Sequence, residues 1–208
     1  MNMYFNYLVI AFTAFLGSPH MVIKAPAGTA SVPNARNTFL DHVELTNIGW
    51  KEYLYYLKNE HGADSPDYLS ALPDTVIWKL SYDAPFFKSQ KYDDWPVIGV
   101  SYQQATAYCE WRSMVVSQKE KRQVTYTLPT LKIYKLASRG ASPNKVAEGL
   151  YATSIGFRTF LGICENADEM TDVEGLAILG SSRINCLDTA SYYAPSASLG
   201  FRCMATVN

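Results

Sequence analysis

Two helix starts, at Thr46 and Ser101, stand in a chain that otherwise reads as short apolar pieces broken by turns. Behind Thr46, the residues Trp50, Tyr53, Leu54 and Leu57 recur at i, i+3, i+4 and i+7, the stripe of an amphipathic helix. Thr46 suits the N-cap of that helix and Gly62 its stop. Ser101 and Gln104 stand at capping-box spacing, where each side chain can satisfy the other's backbone amide. The helix they open is predicted to end near Gln118 and to bury Ala105, Tyr108, Cys109 and the stem of Arg112. Residues 20–45 read as extended pieces and turns, with Phe39 to Leu45 the clearest strand. Pro66 can start a short helix carrying Tyr68, Leu69 and Leu72, because proline is favoured in a first turn. Residues 73–100 read as loop with one short strand at 97–100, and Thr130 to Ala137 as a further helix. From residue 141 the chain is short strands and turns, closed by a strand at 198–205. Strands, then helices, then irregular strands make an α+β pattern, without the βαβ alternation of a doubly wound sheet.

The 208 residues suffice for one domain with a substantial core. A net charge of -1 offers no basic excess to neutralise a phosphate backbone, so nucleic-acid binding is not expected. Three histidines, His20, His42 and His61, are too few for a multi-histidine metal site. His42 and His61 read as surface or structural residues, and Asp93-Asp94 as a solvated loop. No Gly-x-Ser-x-Gly elbow is present. Four cysteines, none spaced as C-x-x-C, leave three disulfide connectivities open. Fifteen tyrosines in a charge-poor chain suit ordered irregular backbone or a contact surface.

Residues 1–19 form a separate segment. Tyr7 to Leu16 is an uncharged run too short to span a bilayer, which needs about 20 apolar residues. It has the length of a signal-peptide core, although no Lys or Arg precedes it and no obvious A-x-A cleavage site follows directly behind it. Export to the periplasm, the outer membrane or the cell surface is the expectation, with residues 20–208 as the domain. Membrane association is expected only through a complex or through this segment left uncleaved.

Seven motifs then follow one another. They are Thr46-Asn47; Trp95 to Trp111 around Pro96, Gly99 and Ser101; Tyr126-Thr127-Leu128-Pro129-Thr130; Ala137-Ser138-Arg139-Gly140; Asn166-Ala167-Asp168-Glu169-Met170-Thr171; Leu179-Gly180-Ser181-Ser182; and Leu199-Gly200-Phe201-Arg202-Cys203. In that order they resemble the formylglycine-generating-enzyme, or sulfatase-modifying factor, family. The resemblance implies a single C-type-lectin-like domain of α+β class, with two main helices, short strands and much irregular structure. It is similar to short, non-catalytic, exported members from Bacteroidetes-type bacteria, some of them gliding-motility and secretion lipoproteins.

The resemblance also bears on chemistry. Oxidases of the family bind copper through a pair of cysteines, as a soft monovalent metal requires. Ile184 and Thr189 stand at those two positions, and only Cys186 lies near, so no catalytic residue is expected. Iron-dependent sulfur transfer in the superfamily needs a further helical domain that this length does not hold. The family pattern implies a disulfide between Cys109 and Cys203, worth on the order of 4 kcal/mol for a loop of about 95 residues. Cys164 and Cys186 are then left to pair. A family calcium site would use Glu169 with the carbonyls of Glu165 and Ala167, while Gly162 stands where an asparagine ligand is expected. Lectin sugar motifs of the Glu-Pro-Asn type are absent. Aromatic contact remains, with Arg183, Tyr192, Tyr193, Phe86, Phe87, Tyr92 and Trp95 as candidates. The leading expectation is an exported binding or scaffold component with protein partners in the bacterial envelope. The alternatives are a glycan- or ligand-recognising module and a degenerate enzyme.

Overall fold

The computed structural model describes residues 23–79, 87–139, 160–163, 166–180 and 187–208. Strands β1 (Thr29–Ser31) and β2 (Thr38–Asp41) lead into helix α1 (Asn47–His61). Helices α2 (Pro66–Ser70) and α3 (Thr75–Lys79) follow, then a 3-10 turn at Gln90–Tyr92 and the long helix α4 (Tyr102–Glu120). Next come β3 (Val124–Thr127) and α5 (Leu131–Ala137). The chain ends with β4 (Asp168–Met170), β5 (Leu176–Ile178), β6 (Thr189–Ser191), β7 (Leu199–Gly200) and β8 (Met204–Val207). The α+β class is as expected.

The helices begin where side chains can take up free amides. Thr46 accepts from the Gly49 amide at the head of α1. At the head of α4 the Ser101 amide donates to Gln104 Oε1 at 2.7 Å, and the Gln104 amide donates to Ser101 Oγ at 3.2 Å. Helix α3 was not expected. It is opened by Asp74, whose Oδ1 accepts from the Val76 amide, in a stretch with no helical periodicity.

One sheet runs β1-β2-β8-β3, antiparallel throughout. The other runs β6-β5-β4-β7 and is antiparallel except for the β4–β7 pair. The strand expected at 198–205 is in fact two. Leu199–Gly200 belongs to the second sheet and Met204–Val207 to the first. Between them, Leu45 donates to the Phe201 carbonyl and Asp41 to the Cys203 carbonyl, so the chain crosses from one ladder to the other. Gly200 makes the crossing fit, since a Cβ there would stand 3.0 Å from the Val97 carbonyl oxygen.

The strand expected at 97–100 does not form. Val97 donates to Leu45 and the Gly99 carbonyl accepts from Asp74, so the segment has partners on two sides and no continuous ladder. The strand expected from Phe39 to Leu45 stops at Asp41, where the chain leaves the ladder for α1.

Helix α4 lies on β3 through two serines one turn apart. Ser113 Oγ accepts from the Tyr126 amide at 2.7 Å, and Ser117 Oγ accepts from the Val124 amide at 3.0 Å. Trp50 is fully buried at the centre of the core. Its ring stacks on Tyr108 at 5.6 Å and meets Phe201 edge-on at 6.1 Å, while its Nε1–H donates to the Ala71 carbonyl. One aromatic cluster thereby joins α1, α4, the end of α2 and the crossing segment. Truncating Trp50 to alanine would cost roughly 3–5 kcal/mol. Among the described residues, no helix is long and apolar enough to cross a membrane.

Candidate functional site

The buried ionisable residues lie where the two sheets meet. Arg202 is fully buried and grips Glu169, which is buried too, through Nε to Oε2 at 2.6 Å and Nη2 to Oε1 at 2.7 Å. Tyr134, from α5, donates its hydroxyl to the same Oε2 at 3.0 Å. Arg202 also donates to the carbonyls of Asp41 and Leu161. Glu44 completes the cluster, with Oε2 3.9 Å from the guanidinium and Oε1 accepting from the Ala167 amide. One cation thus faces two carboxylates. Burial, and then the charge of Glu169, push the Glu44 carboxyl up to about 7. Burial and the Glu169 charge also hold the Tyr134 hydroxyl well above its usual range.

Glu44 was not singled out in the sequence. Its signal is faint: an acid between Val43 and Leu45, close before the helix cap. Gly162 has its explanation here. A Cβ at Gly162 would stand 2.5 Å from Glu44 Oε2, so this carboxylate occupies the space an asparagine side chain would need.

The carboxylate that the family pattern implies for a calcium ion is already engaged among the described residues. Both oxygens of Glu169 are held by Arg202, and the position of the asparagine ligand is a glycine facing Glu44. Among the described residues, no group of three His, Cys, Asp or Glu side chains is set to hold a metal. Glu165 lies outside the described residues. So do Ile184 and Cys186, in the segment where the copper cysteines of the family would be. Thr189, which the resemblance sets at the second of those positions, lies exposed in strand β6.

Beside the ion cluster, Arg112 of α4 makes a two-pronged pair with Asp41 at 2.7 and 2.8 Å, and its guanidinium lies over the Tyr126 ring. Asp41 Oδ2 also accepts from the Cys203 amide. Next to this clasp, the sulfurs of Cys109 and Cys203 are 3.0 Å apart as buried free thiols. The fold therefore brings together the pair that the family pattern implies. Burial, and then the hydrogen bond to Cys203, push the Cys109 thiol well above its usual range, which removes it from nucleophilic work near neutral pH. Cys164 lies outside the described residues.

The open concave surface is elsewhere. Two abutting cavities of about 530 and 430 Å³ share Ser101, Gln103 and Pro195 and form one groove. The α2–α3 connection, through Leu72 and Asp74, lines one cavity, and the loop after β6, with Tyr192 and Tyr193, lines the other.

The expected aromatic surface is thus split. Tyr192 and Tyr193 line the groove. Phe87 and Trp95 belong to a packed cluster instead, where Trp95 meets Tyr92 edge-on at 5.2 Å and Lys51 lies over Phe87. The cause is Asp93. It pairs with Lys51, and its carbonyl accepts from Ile48, so the whole segment is drawn onto α1. Asp93 is therefore not the freely solvated loop residue that was expected. Phe86 and Arg183 lie outside the described residues. His42 has an exposed side chain and His61 stands 3.8 Å from Asp67 at the end of α1.

Comparison with known proteins bears on the fold. A solved structure described as "Crystal Structure of CarF" is 15% identical, with a TM-score of 0.53, over 82% of this chain and 87% of that one. "Treponema denticola variable protein 1" is 13% identical, with a TM-score of 0.47, over 82% and 84%. Among curated proteins no sequence matches this chain. The family model of the sulfatase-modifying factor enzyme 1-like domain matches residues 20–159, well over half of the sequence. With the order of its motifs and the two sheets built around Arg202, the chain belongs to the sulfatase-modifying factor family.

Proposed function

We propose that this chain is a non-catalytic binding domain of the family, exported to the bacterial envelope and engaged there with protein partners. The observation that carries this reading is how three reactive pairs of the described interior, Glu44 apart, are spent. Glu169 holds Arg202, Asp41 holds Arg112, and Cys109 faces Cys203 in a site closed to solvent. Ionisable groups used this way fix a fold and are not free to exchange protons with a substrate. The uncharged run Tyr7 to Leu16 and the adjacent Cys109 and Cys203 support the exported setting.

A second reading, recognition of a small ligand or glycan, is favoured by one observation: Tyr192 and Tyr193 line an open groove.

The test is oxygen uptake by the purified full chain supplied with copper and a cysteine-containing peptide, together with native isolation from envelopes. Uptake equal to a copper-only control, with a stoichiometric partner co-isolated, is expected. Copper-dependent oxidation of the peptide by the chain, lost on Cys186→Ser, would overturn the reading.

A further inference from the structure

From the lining of the groove we infer that it is a binding site for a neutral oligosaccharide. This rests on reading the chain as a binding domain and names the ligand class of one of its surfaces. The charge of the lining comes first. Neither cavity is lined by Lys, Arg or His among the described residues, and each holds one carboxylate, Asp74 in one and Glu174 in the other. An anionic ligand would find no cation and two like charges.

A cation gains little there either. Asp74 Oδ1 already accepts from the Val76 amide and Glu174 Oε1 from the Gln103 side chain, both at exposed positions where water screens the charge. Their remaining lone pairs can still accept hydrogen bonds from hydroxyl groups.

The apolar part of the lining has a matching form. Tyr193 is 97% exposed, so its ring has no packing duty in the fold. Beside it Tyr192 is half-buried against the core. A ring presented in this way offers a flat apolar face to the C–H side of a pyranose, while carboxylates and amides along the groove take its hydroxyls. Gln103 borders both cavities, and its side chain reaches Glu174, so it stands midway along the length that a chain of sugars would follow.

The walls are already braced. Gln104 Nε2 donates to the carbonyls of Ser70 and Leu72 at 2.7 and 3.0 Å, which fixes the α2–α3 side. On the other side the Tyr102 hydroxyl donates to the Asp172 carbonyl at 2.9 Å. A groove held open in this manner loses little freedom when a ligand enters. Each cavity falls within the volume range of small-ligand sites, roughly 300–1,000 Å³.

The experiment uses the full chain and four soluble probes, followed by saturation-transfer NMR and titration of tyrosine fluorescence. Cellotetraose and the N-acetylglucosamine tetramer are neutral, a chitosan tetramer is cationic, and a galacturonate tetramer is anionic. At least one neutral probe is expected to saturate below roughly 5 mM, with the anionic probe about tenfold weaker and the cationic probe no tighter. Tyr193→Ala and Gln103→Ala are each expected to weaken the neutral probe about tenfold with the melting temperature unchanged, since both side chains are exposed. Three results overturn the proposal. They are no saturation by either neutral probe, an anionic probe binding as tightly as the neutral one or a cationic probe binding more tightly, or binding indifferent to both substitutions. Each would leave the non-catalytic reading standing, because oxygen uptake tests that reading separately.

Discussion

Arg202 and Glu169 meet through two short hydrogen bonds, 2.6 and 2.7 Å, with no part of either side chain exposed. They stand on neighbouring parts of the structure that are 33 residues apart in sequence. Tyr134 and the carbonyls of Asp41 and Leu161 occupy further sites around them. Paired this fully, the two charges tie together segments of chain that are distant in sequence.

Breaking the pair from one side leaves a bare buried charge. Arg202→Met is expected to lower stability by about 3–5 kcal/mol in urea denaturation. Arg202→Lys keeps the charge but not the planar fork, and is expected to fall short of the native protein by about 1.5–3 kcal/mol. Equal stability of Arg202→Lys and the native chain would contradict the two-pronged geometry.

Glu44 makes stability depend on pH in a stated direction. Its carboxyl is raised in the folded chain from 4.5 to about 7, so the folded state keeps a proton that the unfolded state has released. Stability from this group is therefore present below 4.5, falls as the pH rises from 4.5 to about 7, and is level above that. The fall is on the order of 3 kcal/mol. Unfolding measured at pH 5 and pH 8 should show it, and Glu44→Gln should flatten the difference. A Glu44→Gln variant that kept the native slope would assign the pH dependence to another group.

Cys109 and Cys203 are expected to be joined in the native exported protein. Mass measurement after alkylation in denaturant, with and without reductant, reads this directly, and denaturant is needed because burial shields the thiols. Both cysteines should resist alkylation until reduced. Cys203→Ser should then cost on the order of 4 kcal/mol for a loop of this size. Free alkylation of both without reductant would refute the bond.

Calcium should leave this domain unchanged. Thermal melts with excess calcium and with chelator are expected to superimpose, because Arg202 already occupies the carboxylate of Glu169. A chelator-dependent fall in midpoint would require that pairing to give way.

The helices were legible because their signals are local. The stripe from Trp50 to Leu57 and the reciprocal cap of Ser101 and Gln104 act within a few residues, and both helices stand within two residues of their expected ends. The short strands were less so. Phe201 to Cys203 read as the middle of one strand, since alternation does not reveal that neighbouring residues pair with different sheets. Which aromatic residues stay open was not legible. Tyr192, Tyr193, Phe87 and Trp95 are alike as residues, and only the anchoring of Asp93 on α1 separates the packed pair from the open one.

The sequence by itself determined the class of fold and the family. Each of these follows from residue order and local spacing. Tertiary structure alone decided that Glu169 faces Arg202, that Glu44 takes the space in front of Gly162, and that Ser101, Gln103 and Tyr193 border one groove. The physical reason is range. Caps and stripes are set by neighbours along the chain, whereas a buried charge or a groove is defined by segments that meet only after the sheets have formed.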